Sequence, residues 1–537
     1  MKTHLPRLLC LALILVPISI LAADKPPNIL FAFADDWGQY AGIYGEQNVG
    51  PGTINRVTKT PHFDRVAREG VLFNNAHVNA PSCTPCRSAL MSGQYFYRTG
   101  QGAILQGAVW DDKIPTFPLL LEKAGYHIGH SHKVWSPGSV RNAPFGADRT
   151  AFNAGGRSFS SFSQTATRLI AQGKTVDEAK QKLLDSCATS FDDFLAKRND
   201  GQPFLWFWGP TNVHRKWIKG SGKTLWGYEP DELQSRMPLF LPDVHEVRQD
   251  MADYLGEVTA FDAGLGLHLK KLEAMGELDN TFVIVSGDHG APGFPRGKCN
   301  LYDFGTVKAG RRVDDFVNLM DIAPTLLELA GAEVPGVMTG RSLMKVLRSE
   351  AEGWVDPERS YVITGRERHV TYARAGRLPY PQRAIRTKDH LYIHNFRPDR
   401  YPMGDPGPVT ADSAPDAATL ENNTFICYGD LDASPTKAWM IVHRNDPAYQ
   451  QHFAWGFGKA PREELYVTGN DPSQVENRID DPELQNVVAG LRSRLFAELK
   501  RTGDPRVTGD GMAFERPPFT GESDWGKPPK PKGKRKK

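Results

Sequence analysis

Asn28-Ile29-Leu30-Phe31-Ala32-Phe33-Ala34-Asp35-Asp36 is an unbroken apolar run that stops on two adjacent carboxylates. A half-exposed strand alternates apolar and polar residues. A run apolar at every position fits a strand covered on both faces, as in a parallel sheet between helices. Two other stretches have the same form. Pro203-Phe204-Leu205-Trp206-Phe207-Trp208-Gly209 leads to His214, and Thr281-Phe282-Val283-Ile284-Val285-Ser286-Gly287 ends at Asp288-His289-Gly290. Leu255, Val258, Phe261, Leu265, Leu269 and Leu272 recur every three or four residues and predict a helix with one apolar stripe. Residues 317–327 read as a further helix, stopped near Gly331. The pattern predicts an α/β fold with a mixed, mostly parallel central sheet flanked by helices. In such sheets ligands bind beyond the carboxyl ends of the strands, where these acids and histidines fall.

Beyond about residue 356 the pattern changes. Ser360-Tyr361-Val362-Ile363-Thr364, Val370-Thr371-Tyr372-Ala373-Arg374, Gln382-Arg383-Ala384-Ile385-Arg386 and His390-Leu391-Tyr392-Ile393-His394 are short alternating stretches, and residues 484–499 read as a helix. A catalytic-size domain over 24–355 and a smaller α+β subdomain with an antiparallel sheet over 356–515 are expected. Residues 401–418 are rich in Pro, Gly and Asp and read as a loop.

Residues 1–23 have the form of a secretory signal: Lys2 and Arg7, an apolar stretch over 8–21 broken by Pro17, then Ala22-Ala23. No other stretch is apolar enough to span a bilayer, so a periplasmic or secreted protein with no stable membrane anchor is expected. Residues 516–537 have the composition of a disordered basic tail. The formal charge of +3 misleads. Residues 525–537 hold seven Lys/Arg and no acid, the leader adds two, and removing these nine leaves the body at −6. A mildly acidic body argues against a nucleic-acid partner.

The most specific stretch for chemistry is Cys83-Thr84-Pro85-Cys86-Arg87-Ser88-Ala89-Leu90-Met91-Ser92-Gly93. Cys83 and Cys86 have redox spacing, but Ser82 replaces the aromatic residue that a thioredoxin-like motif wants. A zinc site would need a second such pair, which the sequence lacks. Asp35-Asp36 and Asp288-His289 supply hard oxygen donors and one imidazole, a set suited to Ca²⁺ or Mg²⁺ rather than Zn²⁺.

With these parts the chain resembles the type I, formylglycine-dependent sulfatases of the alkaline phosphatase superfamily, from Pro27 to about Arg501. The Cys, the Pro two residues on and the Arg four residues on carry that family's signature. Asp35-Asp36 and Asp288-His289-Gly290 match its metal pairs. Gly297-Lys298-Cys299-Asn300-Leu301-Tyr302-Asp303-Phe304-Gly305 matches its sulfate-binding lysine segment, and Glu464-Leu465-Tyr466, Asp471-Pro472 and Glu476-Asn477 match its closing segment. Arg366-Glu367-Arg368-His369 and Ile385-Arg386-Thr387-Lys388-Asp389 look most like the branch of N-sulfoglucosamine sulfohydrolases and bacterial polysaccharide sulfatases.

The resemblance implies an alkaline-phosphatase-like fold and a Cys83 oxidised to formylglycine by a maturase. It implies a metal, Ca²⁺ in preference to Mg²⁺, held by Asp35, Asp36, the modified Cys83, Asp288 and His289. Cys83 would sit at the start of the helix through residues 87–92, with Arg87 holding the aldehyde hydrate. Lys133 and Lys298 would neutralise sulfate oxygens, and His214 would protonate the leaving group. The implied substrate is a sulfated polysaccharide or oligosaccharide, as O-sulfate or N-sulfate.

Two departures stand out. Trp135 occupies the position of the family's usual His, leaving His132 or His130 to take the hydrate's proton. After Gly305-Thr306 the family's β-rich run is absent, which predicts the loss of about one strand with its turn. These departures motivate a non-catalytic glycan-binding alternative; a phosphonate or phosphodiester hydrolase of the same superfamily is another. Loops around His214 and the basic stretches 366–369 and 394–400 are expected to select the sugar.

Overall fold

The computed structural model describes residues 26–47, 53–290 and 310–520. The leader, most of the basic tail, Lys298 and the shortened stretch after Thr306 lie outside the described residues. The central sheet has four parallel strands, β1 (Asn28–Ala34), β2 (His127–His132), β3 (Phe204–Gly209) and β4 (Thr281–Gly287), in the order β2-β3-β1-β4. β1 lies inside, with Phe31 opposite Phe207 on one side and Ile284 on the other.

Every residue of β1, β3 and β4 is buried. Successive strand side chains point to opposite faces. Leu30, Ala32 and Ala34 therefore enter one core, and Ile29, Phe31 and Phe33 enter another. Each face needs its own cover, supplied by α1 (Cys83–Ser92), α2 (Val176–Leu195), α3 (His245–Ala274) and α4 (Ile322–Leu329). Leu183 and Phe191 of α2 and Leu255 and Phe261 of α3 join the first core. Leu90 and Met91 of α1 and Leu326 of α4 join the second.

α3 has no single apolar stripe; most of its circumference from Val247 to Leu272 is buried. Its buried acids serve neighbouring backbone. Asp262 accepts the N–H groups of His62 and Phe63 at the start of the helix Pro61–Glu69, and Asp253 accepts those of Gly220 and Gly222. The helix expected over 317–327 begins later than its apolar pattern suggested. Val317–Asn318 pairs in parallel with Ala76–His77, and the Asn318 side chain then accepts the Met320 N–H and turns the chain toward α4.

The second sheet is antiparallel, with β5 (Tyr361–Arg366), β6 (Gln382–Thr387), β7 (His390–Asn395) and β8 (Glu463–Val467) in the order β8-β7-β6-β5. The long insertion between β7 and β8 carries α5 (Pro435–Val442), and α6 (Gln485–Arg501) packs Leu495 and Leu499 toward Ile363, Ile385 and Leu465. Residues 370–374 are not the strand their alternation predicted. The N–H groups of Val370 and Thr371 go to the side chains of Asp430 and Gln106, while Val370 and Ala373 pack beside Cys83 and Leu105. Among the described residues no helix is long and apolar enough to cross a membrane.

Candidate active site

The polar residues predicted at the strand ends converge. β1 delivers Asp35 and Asp36, β4 delivers Asp288 and His289, the loop after β3 brings His214, and Lys133 follows β2. α1 begins at Cys83, after Ser82 in extended conformation. Cys83 thus sits in the first helical turn, where free N–H groups and the dipole favour an anion.

Arg87, one turn on, is fully buried. Its Nε donates to Asp288 Oδ2 and its Nη2 to Asp35 Oδ1, both at 3.0 Å. Its Nη1 donates to the carbonyls of Lys133 and Val134. Lys133 Nζ lies 2.7 Å from both oxygens of Asp35. Burial alone would raise the Asp35 carboxyl, but Lys133 and then Arg87 hold it well below the usual carboxylate range.

Asp36, one residue on, is built the opposite way. Its φ of 67° is in the left-handed region, rare for a residue with a side chain, and its N–H donates to Asp288 Oδ1 at 2.8 Å. Both its carboxylate oxygens are buried and accept no hydrogen bond among the described residues. Burial pushes its carboxyl up to about 7 against the pull of His214 and His289. His289 Nε2 is 3.3 Å from Asp36 Oδ1 and 3.0 Å from Cys83 Sγ. His214 Nε2 is 3.6 Å from Asp36 Oδ2. The Nδ1 of His214 donates to the Arg215 carbonyl at 2.7 Å, so Nε2 is the nitrogen presented to the cluster. Burial opposes charge on His214, but Asp36, Asp35 and Asp432 raise its pKa to about 10.

Ligand atoms of Asp35, Asp36, Cys83 and His289 lie within 4.8 Å of one another. A buried carboxylate that accepts no hydrogen bond is costly, and a divalent cation among these donors would satisfy the Asp36 oxygens beside the two imidazoles. Carboxylates with one imidazole suit a hard cation, the more so if oxygen replaces the sulfur at position 83. Asp288 stands at the side of this group, 3.5 Å from His289 Nε2, its oxygens accepting from Asp36 and Arg87.

The pocket does not make a reactive thiol. Burial first, and then Asp35, push the Cys83 thiol far above its ordinary range, and burial and Asp288 do the same to Cys86. Both cysteines are free, and Cys86 Sγ donates to the Asp288 carbonyl. A redox pair wants a lowered pKa. Trp135 is buried and its Nε1 donates to Ser88 Oγ at 2.8 Å, which braces α1. Neither expected substitute base meets Cys83. His130 Nε2 faces the Ala147 carbonyl and His132 Nδ1 faces Ser160 Oγ; the imidazole beside Cys83 is that of His289.

The basic stretches expected to meet a sugar mostly turn inward. Arg366 pairs with Asp430, Arg368 donates to the Gln106 carbonyl, and Arg400 pairs with Glu515. What the sequence reading missed is Asp432, from the insertion between β7 and β8, which lies with Asp36 and His214 in a second group of converging ligand atoms. Nothing local in its sequence separates it from other loop acids. His369 was read only as part of a basic stretch, and its Nδ1 lies 2.7 Å from the hydroxyl of Ser82, just before α1.

A parallel sheet with acids at its carboxyl ends, and a buried arginine and a lysine beside a helix N-terminus, is the frame of an α/β enzyme. The family model "Sulfatase" matches residues 27–332, and the model "N-sulphoglucosamine sulphohydrolase, C-terminal" matches residues 302–399. The chain belongs to the sulfatase family and is a sulfatase, a hydrolase. It is 27% identical to N-sulphoglucosamine sulphohydrolase of Homo sapiens, over 94% of this chain and 96% of that one. It is 23% identical to an ulvan-active sulfatase of Formosa agariphila, over 90% of this chain and 76% of the relative. In fold it is similar to the solved structure of BT4656 in complex with its substrate D-glucosamine-2-N,6-O-disulfate, with a TM-score of 0.56 at 18% identity, covering 90% of this chain and 100% of the other.

Proposed function

We propose that this sulfatase removes sulfate from a sulfated glycan, using a formylglycine derived from Cys83 and a divalent cation, Ca²⁺ in preference to Mg²⁺. The observation that carries the reading is Cys83 itself: it heads α1 among the ligand atoms of Asp35, Asp36 and His289, where burial and then Asp35 push its thiol up rather than activate it. An aldehyde hydrate at that position supplies one hydroxyl to attack sulfur and a second whose deprotonation lets the aldehyde reform and sulfate leave. The cation, with Asp35, Asp36, Asp288, His289 and position 83 as its ligands, would polarise sulfate oxygens.

The remaining roles belong to the chain's own side chains. Arg87 holds the hydrate and ties Asp35 to Asp288. Lys133 neutralises a sulfate oxygen, and Lys298 is assigned the same role from sequence. His214 donates the Nε2 proton to the leaving atom. The relatives' names, which cite N-sulphoglucosamine and ulvan, support a sulfated sugar as substrate. The form of residues 1–23 supports secretion or a periplasmic location, and maturation requires a formylglycine-generating partner.

Intact-peptide mass spectrometry across Cys83, after co-expression with a maturase, tests this directly. Formylglycine at position 83, with metal-dependent sulfate release from sulfated sugars, is expected. Sulfate release by a protein whose Cys83 is still a thiol overturns the mechanism. Phosphodiester or phosphonate cleavage by the thiol form points to the alternative hydrolase, and modification without any turnover points to glycan binding.

A further inference from the structure

The strand-end groups are the floor of the site; the insertion between β7 and β8, which reaches Asp36 and His214 through Asp432, is here called its roof. There Asp432, half-buried, has a carboxylate oxygen within 4.8 Å of ligand atoms of both Asp36 and His214. The backbone around it is fixed from within. Lys437 of α5 is fully buried and donates to the carbonyls of Thr424, Cys427, Tyr428 and Leu431, at 3.1, 2.8, 3.2 and 2.8 Å. Asp430 accepts the Val370 N–H and pairs with Arg366 and Arg374.

A second tie sets the distance from Asp432 to His214. Thr436 Oγ1 donates to Asp250 Oδ2 at 2.6 Å, and the same carboxylate receives Arg215 at 2.7 Å on each oxygen. Arg215 directly follows His214, and Thr436 lies four residues beyond Asp432. One buried acid of α3 thus anchors both the loop that bears His214 and the helix that follows Asp432. Backbone held this firmly on either side of Asp432 and His214 gives their side chains a defined starting point toward a ligand.

We propose that Asp432 reads the leaving group and makes this enzyme selective for a sulfated nitrogen over a sulfated oxygen. The inference rests on the sulfatase reading above. Hydrolysis of an N-sulfate is R–NH–SO₃⁻ + H₂O → R–NH₃⁺ + SO₄²⁻. The S–N bond breaks, an S–O bond forms, and both protons of the water end on nitrogen, one of them through His214 Nε2. Hydrolysis of an O-sulfate is R–O–SO₃⁻ + H₂O → R–OH + SO₄²⁻ + H⁺, and its leaving group departs neutral. A carboxylate beside the leaving atom attracts the nitrogen as it becomes cationic and gains no charge attraction to an alcohol. The substrate class is therefore a sulfamino sugar, with its nitrogen between His214 and Asp432.

The test compares kcat/KM on glucosamine N-sulfate and on N-acetylglucosamine 6-O-sulfate for the formylglycine-bearing wild type, Asp432→Asn and Asp432→Glu. Melting temperatures confirm that each variant folds. The wild type should prefer the N-sulfate. Asp432→Asn should lower the N-over-O ratio tenfold or more, chiefly through kcat, and Asp432→Glu should restore part of it. An unchanged ratio, an equal fall on both substrates, or a wild type that cleaves only the O-sulfate overturns the inference and leaves the sulfatase reading standing. Modified wild type that releases sulfate from neither sugar overturns both. A second equivalent of bound metal by elemental analysis, lost in Asp432→Asn, also overturns it, because the cluster would then hold a metal ion.

Discussion

The floor and the roof of this pocket are built by different means. On the floor, strand and helix termini place the groups: Asp35 and Asp36 end β1, Asp288 and His289 follow β4, and Cys83 begins α1. In the roof, buried polar groups hold loops: Lys437 clamps four carbonyls, Asp430 gathers two arginines, and Asp250 joins Arg215 to Thr436. A floor of this kind fixes where bonds are made and broken. A roof of this kind acts on what leaves, which suits choice of leaving group rather than choice of nucleophile.

The comparison breaks first if the floor is not where chemistry occurs. Cys83→Ala should lower sulfate release by about 10⁴-fold or more, as loss of a nucleophile does. Its melting temperature should stay within a few degrees, since the change removes one small group and breaks none of the buried ion pairs. A variant keeping a tenth of wild-type turnover would remove Cys83 from the mechanism.

Arg87→Ala should reverse the balance, striking stability as hard as activity. It leaves Asp35 and Asp288 without their buried guanidinium, and removing one partner of a buried pair costs about 3–5 kcal/mol. Urea unfolding measures this. Arg87→Lys should not restore it, because one ammonium cannot reach both acids through separate nitrogens. Wild-type stability in Arg87→Ala would mean that Lys133 alone neutralises the site.

The same contrast explains what the sequence could reveal. The runs ending at Asp35-Asp36 and Asp288-His289 announce floor residues because strand periodicity and chemistry coincide there. Cys83 and Arg87 are legible because they share one short helix. Residues 370–374 misled: their alternation suggested a strand, but the Asp430 and Gln106 side chains take the amides a ladder would use. Asp432 is illegible for a related reason. Its position depends on Lys437, which is close in sequence, and on Asp250, which lies far away on α3, and no local pattern encodes that meeting. Arg366 and Arg368 looked ready for an acidic sugar because charge reads the same in sequence whether its partner is a ligand or another side chain.

A pH measurement sharpens the boundary between floor and roof. Glu257 on α3 supports the loop of His214: Asn212 Nδ2 donates to its carbonyl at 2.7 Å and to Oε2 at 3.2 Å, and the Ser163 N–H donates to Oε1. Burial raises the Glu257 carboxyl to about 7, although the bonds from Ser163 and Asn212 pull it down. An acid with a raised folded pKa binds its proton more tightly in the folded state. Its stabilisation is therefore complete below about pH 4.5 and is lost as pH climbs through 7, a change of about 3 kcal/mol. Urea unfolding across that window, in wild type and Glu257→Gln, should show the difference between the two shrinking by that amount toward acid. A constant difference would mean that Glu257 is ionised in the fold throughout.

The smallest expected effect lies in the roof and separates placement from chemistry. Lys437→Met keeps most of the buried volume but removes the ammonium from the four carbonyls it binds, at a cost of about 2 kcal/mol in unfolding free energy. The floor is untouched, so formylglycine formation at Cys83 should proceed as in wild type, read by the same peptide mass. The loop that carries Asp432 loses its internal clamp, and a carboxylate misplaced by about an ångström gives up much of its advantage. The ratio of N-sulfate to O-sulfate turnover should therefore fall in Lys437→Met, by less than in Asp432→Asn. A variant that loses stability and keeps its ratio would show that Asp432 is held by Asp430 and the Asp250 network alone, with Lys437 serving only the fold.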